Sequence, residues 1–599
     1  MKKIRQLLQF LRGQRLTFAL TLLCVIVNVL FAATVPLIIR TGLDSVLGGK
    51  PVDLPAGLAN VMGGADTIAW LNNNLWFMLV LLVGMTLMQG ILLFGRGKLG
   101  AMTSEGAARR MRDRLYNHLE RLPFDWHVKA QTGDIIQRCT SDIETVMNFV
   151  GNQFIEAFST VFQVIIVLIV MSSMSVPYTL VTVALIPVIT IATVRFFLNM
   201  MKVFSETDEA EGLMSATLQE NLTGVRVVKA FAAQQLEMDK FDEKNSRYRD
   251  LVMKIVKLMA GYWSVSDFLC MVQYGAVIVV GAYWAAIGNI SIGTLVAFST
   301  YAGMLIWPIR GLGQSMGFMG QSFVSLGRIN EILDTKPEDY ETGKNPSQVE
   351  GTIEFANVRF GYDPETPVLE DVSFTVRKGT TTAILGATGS GKSSILHLLL
   401  RLYDYQGGAI RIDGQELSTI SREAIRQKIG IVLQEPFLFS RNIRENIRIG
   451  WPEASDGQVR EAADIACVHE SIAEFDQGYD TMVGERGVTL SGGQRQRVAI
   501  ARTVLRDVPI LIFDDSLSAV DTETDAAIRA ALKERSRQTT TLIVSHRITT
   551  LAEADQILVL EHGRIAQRGT HEELIAQEGH YKRIWDLQSS IGEVDAEPA

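Results

Sequence analysis

Six long apolar stretches, at roughly 16–39, 76–95, 154–174, 178–198, 264–288 and 293–312, restrict this chain more than any other feature. Each comes close to the roughly twenty residues an α-helix needs to cross a bilayer core. Inside hydrocarbon every backbone N–H and C=O must be satisfied within the segment, so runs of this length predict membrane helices. An even number of spans returns the chain to its starting side, and the connections indicate which side that is. The loop after the first span sets Lys50 against Asp44, Asp53 and Asp66, and the link before the fourth is the neutral Ser172-Ser173-Met174-Ser175-Val176-Pro177. The segments after the second and fourth spans hold the positive charge, from Arg96 to Arg138 and from Lys202 to Lys257. By the positive-inside rule both termini and both basic segments are predicted to be cytoplasmic.

The two basic segments, 96–150 and 200–260, keep helical periodicity and hold few helix breakers. They read as continuations of the membrane helices, each folding back at an elbow, one at Leu122-Pro123-Phe124-Asp125-Trp126 and one around Leu218–Val225. Elbows so placed are positioned to touch a soluble motor. Ile4, Leu7, Leu8 and Leu11 stand near helical spacing among basic residues, so 1–15 reads either as an interfacial helix or as the basic flank of the first span. That first apolar run is too long for a signal-peptide core, which predicts a retained anchor. In the last span Tyr301, Met304, Trp307, Met316, Phe318 and Met319 suit either a pocket for apolar cargo or helix packing. Pro308, Gly311, Gly313 and Gly317 predict a locally deformable helix.

Composition agrees with a membrane part joined to a soluble part, since 47% of the residues are hydrophobic yet 20% are charged. A chain of 599 residues predicts two or more domains. A net charge of −8 argues against a nucleic-acid partner. Cys24, Cys139, Cys270 and Cys467 have neither disulfide-framework nor zinc spacing and read as isolated buried thiols. The polar stretch 334–350 marks a linker, and the acidic end 589–599 a tail.

Past the linker, strands are predicted at Thr352–Arg359, Val368–Val376 and Thr381–Leu385. The last runs into Gly386-Ala387-Thr388-Gly389-Ser390-Gly391-Lys392-Ser393-Ser394, a G-x-x-x-x-G-K-S loop between strand and helix. Its glycines let backbone N–H groups approach phosphates, Lys392 adds a point charge, and Ser393 offers a hydroxyl to Mg²⁺. The apolar Ile510-Leu511-Ile512-Phe513 ends at Asp514, the position of a magnesium-associated carboxylate.

The remaining motifs carry a family resemblance. Tyr362 lies 24 positions before the phosphate loop, Gln434 follows the strand Ile429–Leu433, and Leu490-Ser491-Gly492-Gly493-Gln494 opens a helix. His546 follows Thr541–Ser545, Ser516–Asp521 stands after Asp514, and Thr481-Met482-Val483-Gly484-Glu485-Arg486-Gly487 precedes the glycine pair. Together they resemble the nucleotide-binding domain of ATP-binding cassette (ABC) transporters, and the six fused spans resemble an exporter half-transporter. The resemblance implies an α-helical six-span transmembrane domain (16–333) with long cytoplasmic helical extensions. An α/β P-loop NTPase domain (351–588), with an antiparallel β subdomain and a helical subdomain, would follow it.

It further implies ATP and Mg²⁺ as cofactors, with Tyr362 stacking on adenine and Gly386–Ser394 cradling the phosphates. Ser393, Gln434 and Asp514 would face the metal, and His546 the γ-phosphate. Ser491, Gly492, Gly493 and Gln494 would meet the nucleotide of a second half-transporter. The implied activity is ATP-driven export of small amphipathic compounds across a plasma membrane by a multi-pass protein. A lipid flippase, a peptide exporter, an ATP-gated channel and a regulatory membrane ATPase stay open as alternatives.

One position departs from the family pattern. The residue after Asp514 is usually the glutamate that aligns the attacking water, and here it is Asp515, one methylene shorter. The carboxylate retracts by about one C–C bond, roughly 1.5 Å. With an intact Leu490–Gln494 segment, this predicts a heterodimer in which the chain's own site turns over slowly, a homodimer being the alternative.

Overall fold

The six apolar stretches fall in the helices Arg15–Ser45, Trp76–Leu119, Thr132–Met174, Val176–Thr223, Gln234–Ala286 and Ile292–Asp334, the fifth stretch running two residues past its helix, and each helix is long and apolar enough to cross a membrane. The second to sixth run 43 to 53 residues, and at 1.5 Å per residue the 44-residue second helix is about 66 Å long, roughly twice a bilayer core. The helices therefore continue past the spans, as their periodicity predicts. The computed structural model describes residues 13–48, 74, 76–346, 348–363, 365–484, 487, 489–516, 520–535 and 539–594, without the side chains at 46–48, 314, 316, 522, 533–535, 549 and 589–594. Most of 1–15, the side chain of Met316, Glu485, Arg486, residues 517–519 and the acidic tail from 595 lie outside that description.

Contacts divide the chain into two units. One is formed by the chain up to Glu120 with Ala130–Lys336, the other by Arg121–Lys129 with the chain from Pro337. The first elbow is the short helix Phe124–Lys129, and it belongs to the second unit, where Glu338 N donates to Arg121 O at 2.6 Å. The second elbow turns at the end of the predicted 218–225. Nothing breaks the helix before Thr223, the turn comes at Gly224, and the elbow helix is Val225–Ala230, inside the first unit. All four cysteines are free, but only Cys270 is fully buried; Cys24, Cys139 and Cys467 are half-buried.

Membrane helices can be interrupted only where another group takes up the freed backbone. Pro187 has no N–H to give, and the fourth span breaks at Ala184–Leu185 just before it. Gln273 of the fifth span, only 1% exposed, fills the gap. Its Oε1 accepts from Leu185 N at 3.0 Å, and its Nε2 donates to Val181 O and Thr182 O, both at 2.8 Å. Further in, Tyr178 donates to Val277 O at 2.7 Å and stacks on Phe298, with centroids 4.2 Å apart. Beyond the spans, the third and sixth helices are joined by charge: Arg138 pairs with Asp134 and Glu331, Arg328 with Asp134 and the buried Asp142.

The second unit holds two sheets. Strands β1 (Ile353–Phe360), β2 (Leu369–Val376), β4 (Gly407–Ile412) and β5 (Gln415–Glu416) form an antiparallel sheet in the order β2-β1-β4-β5. Strands β3 (Thr381–Gly386), β6 (Ile429–Val432), β7 (Ile510–Asp514), β8 (Thr540–Val544), β9 (Gln556–Glu561) and β10 (Arg564–Gly569) form the other, in the order β10-β9-β3-β8-β7-β6. Only β10 runs antiparallel to its neighbour there. Both faces of this sheet are covered, which is why β3 and β7 read as continuous apolar runs without alternation. Because β8 lies between β3 and β7, the loops after three adjacent strands open at one edge, where doubly wound sheets bind ligands.

Gln273→Leu, which keeps bulk but removes three hydrogen bonds, is expected to cost about 1–3 kcal/mol and lower the thermal midpoint in detergent. Gln163→Leu, which loses a single bond to Met304 O, is expected to cost clearly less.

Candidate nucleotide site

The loop after β3 is shaped by two crowded glycines. A Cβ on Gly386 would lie 2.5 Å from Leu560 O and 2.6 Å from Ser390 Oγ. Gly391 has φ +102° and leaves no room before Leu369, whose Cδ2 would be 2.6 Å away. Between them Ala387, Thr388 and Gly389 are exposed, while Ser390 is buried and its Oγ lacks a hydrogen-bond partner among the described residues. Helix α1 (Lys392–Leu399) then starts at Gly391 with no side-chain cap. Elsewhere in this unit Ser421, Asn442, Ser455 and Thr570 cap the helices that follow them. The first N–H groups of α1 stay available, and the helix dipole favours an anion there. An orphaned buried hydroxyl beside an uncapped helix start fits a phosphate chain.

Lys392 is buried, and its Nζ donates to Gly386 O and Ala387 O, both at 2.9 Å. Burial pushes its pKa down, while Asp514 and Asp515 pull it back up. Asp514, at the end of β7, is held above the usual carboxylate range by burial and by Asp515, against a hydrogen bond from Ser393 and the charges of Lys392 and His546. Ser393 and Asp514 therefore meet in the pair expected to face Mg²⁺. Asp515 follows with φ +46°; its N–H donates to Val544 O at 2.8 Å, and its Oδ2 accepts from Gln434 Nε2 at 3.3 Å. The amide nitrogen of Gln434 thus turns to Asp515, leaving its oxygen to serve as an acceptor or metal ligand.

Tyr362 follows β1, and its ring is 45% exposed. Its hydroxyl meets Ser394 Oγ at 3.0 Å and His397 Nδ1 at 3.1 Å. His546, past β8, is exposed; its carbonyl accepts from Gln588 Nε2 at 2.8 Å, and Gln588 Oε1 accepts from Ile548 N at 3.0 Å. Gln588 was not legible as part of the site, because it lies 42 residues on in the closing helix, with no motif around it.

Ser491 caps helix α2 (Gly492–Val504) through a reciprocal box with Gln494: Ser491 Oγ accepts from Gln494 N at 3.2 Å, and Gln494 Oε1 from Ser491 N at 2.9 Å. The side chain of Gln494 is thus engaged in building the helix start. Gly492 is exposed and Gly493 partly so. Among the described residues no hydrogen bond joins Ser491–Gln494 to the loop of Lys392.

Comparison with known proteins agrees with this geometry. Residues 18–309 match the family model described as the ABC transporter transmembrane region, and residues 369–518 the one described as ABC transporter. The chain is 36% identical over 591 residues to YknU, an uncharacterized ABC transporter ATP-binding protein of Bacillus subtilis, covering 98% of each. It is 32% identical to YgaD of the same organism, provisionally described as a multidrug export ATP-binding/permease protein, covering 98% of this chain and 99% of YgaD. A solved bacterial Atm1-family ABC exporter with ATP bound superposes with a TM-score of 0.80 at 26% identity, covering 96% of this chain and 99% of that one.

The two loop glycines separate conformation from space. Gly389→Ala, at φ +82° with nothing near its Cβ, is expected to cost about 1–2 kcal/mol from the backbone alone. Gly391→Ala adds the overlap with Leu369 and is expected to cost more and weaken ATP binding, as read by thermal melts and nucleotide titration of the full chain.

Proposed function

Since the chain belongs to the ABC transporters, as an exporter half-transporter with fused transmembrane and ABC domains, we propose that it exports amphipathic compounds by ATP-driven alternating access, as the slow-site half of a heterodimer. Its ABC domain binds ATP, and ABC exporters act as dimers within a membrane. The multidrug description of YgaD supports the cargo class. The many Lys and Arg residues of the long extensions, against the single Lys50 of the loop after the first span, support a cytoplasmic nucleotide-binding domain and cytoplasmic termini, with the protein in the plasma membrane.

The uncapped start of α1 and Lys392 hold the phosphates, and the half-exposed ring of Tyr362 offers a face to adenine. Ser393, Asp514 and Gln434 would hold Mg²⁺, which when bound neutralises charge between the β- and γ-phosphates. The N–H groups of Gly492 and Gly493 serve a nucleotide on the partner, since among the described residues no hydrogen bond ties them to this chain's own loop. ATP between the two cassettes then closes the dimer, and hydrolysis releases it. The uncovered apolar residues at the second elbow, Val227 (61% exposed) and Phe231 (79%), support a further contact with a second subunit.

The observation that carries the slow-site reading is Asp515, shortened by a methylene and turned toward Gln434. Water-aligning groups contribute about 10²–10⁴-fold, so losing that alignment adds about 3–5 kcal/mol to the barrier. The intact start of α2 then completes a competent site whose glutamate belongs to the partner.

Purified alone, the chain is expected to bind ATP but turn it over slowly, and Asp515→Glu to raise its ATPase rate on the order of tenfold or more. Fast turnover by the unmodified chain without a partner would sink the heterodimer reading.

A further inference from the structure

His397 lies one turn beyond the phosphate loop, on the face of α1 that also carries Ser394. Its Nδ1 is 3.1 Å from the Tyr362 hydroxyl, and Ser394 Oγ is 3.0 Å from the same oxygen. The Tyr362 ring is packed nearly perpendicular to Phe360 and to Tyr403, with centroids 4.9 and 5.0 Å away. The imidazole itself lies among aromatic rings, 6.0 Å from Tyr403 and 5.9 Å from Phe124 of the elbow helix. Phe124 in turn meets Tyr403 nearly at right angles, at 5.8 Å.

We propose that His397 is a positioning residue for the nucleotide base. It anchors the Tyr362 phenol so that the open ring face is preset for stacking, and it shares that anchorage with Phe124 of the elbow helix. The proposal rests on the reading that Tyr362 stacks on adenine.

Packing alone does not account for an imidazole here. A leucine would fill the space between Tyr403 and Phe124 without leaving a polar atom to satisfy. What the imidazole adds is a second fixed partner for the phenol oxygen. With Ser394 alone the hydroxyl has one anchor, and the ring can swing about it. With both, and with two rings against its sides, Tyr362 has its bound orientation before the base arrives, which removes an ordering cost from binding. Burial pushes the His397 pKa down and so favours the neutral ring, whose Nδ1 can accept a hydrogen bond from the phenol O–H. Because His397 touches both Tyr362 and Phe124, whatever displaces Phe124 loosens Tyr362. By linkage, a seated base favours the packed position of Phe124 to the same degree.

The test compares ATP with inorganic tripolyphosphate, each with Mg²⁺, in displacing a fluorescent ATP analogue from the full chain in detergent. Tripolyphosphate reads the phosphate loop without the base. His397→Leu is expected to raise Kd for ATP about three- to tenfold, the scale of one lost hydrogen bond, and to leave tripolyphosphate within about twofold. His397→Asn, which restores a polar atom near the Nδ1 position, is expected to recover most of the loss. Phe124→Ala is expected to shift the ratio in the same direction as His397→Leu. Equal loss of both ligands in His397→Leu, or loss of neither, would overturn the positioning role, and an unchanged ratio in Phe124→Ala would overturn the link to the elbow. Tyr362→Ala separates the premise: if it leaves the ratio unchanged, the stacking reading fails and the proposal with it. If Tyr362→Ala shifts the ratio but His397→Leu does not, only the role of His397 is lost.

Discussion

The nucleotide site depends on backbone N–H groups that the chain leaves unpaired. A helix start exposes four of them, and the usual remedy is a side-chain oxygen one step upstream. This unit applies that remedy at Ser421, Asn442, Ser455 and Thr570, and withholds it at Gly391. A serine at 391 would cap the helix and abolish the phosphate cradle; its Cβ would also collide with Leu369. The start of α2 is the intermediate case. Ser491 and Gln494 satisfy each other there, so any anion it receives relies on the exposed glycine N–H groups and on the helix dipole.

The same constraint acts with opposite sign in the membrane helices. Inside hydrocarbon an unpaired backbone group has no water to fall back on, so the break before Pro187 would be costly without Gln273. One amide meets three backbone groups, which ties the fourth span to the fifth at that level. In the soluble unit unmet donors are kept for a ligand; in the spans they are removed by a neighbour.

This contrast explains what was legible in the chain. The six spans, the phosphate loop, Asp514 and the start of α2 are written in contiguous residues, since each depends on local backbone geometry or on uninterrupted apolarity. Gln273 and Gln588 escaped notice because their partners lie 40 to 92 residues away, and a lone glutamine has no periodicity to betray it. The second elbow is legible for the same reason as the spans, since its turn at Gly224 is a local break in the helix. His397 belongs to no sequence motif, and only the fold brings Tyr362 and Phe124 to it.

Asp515 combines a local and a distant requirement, and their magnitudes differ. Its φ of +46° lies in the left-handed region, where Asp and Asn are several-fold enriched among residues other than glycine, because a short polar side chain can bond locally. A glutamate at the same backbone position gives up part of that compatibility, at a cost on the order of 1 kcal/mol. In the proposed slow site, the shorter side chain relieves this strain and forfeits reach worth about 3–5 kcal/mol of barrier. Backbone comfort is too small a return for a site that must hydrolyse rapidly, and sufficient for one whose task is to hold nucleotide. In the proposed heterodimer the aspartate fits the second task, and the demand for turnover passes to the site that α2 completes.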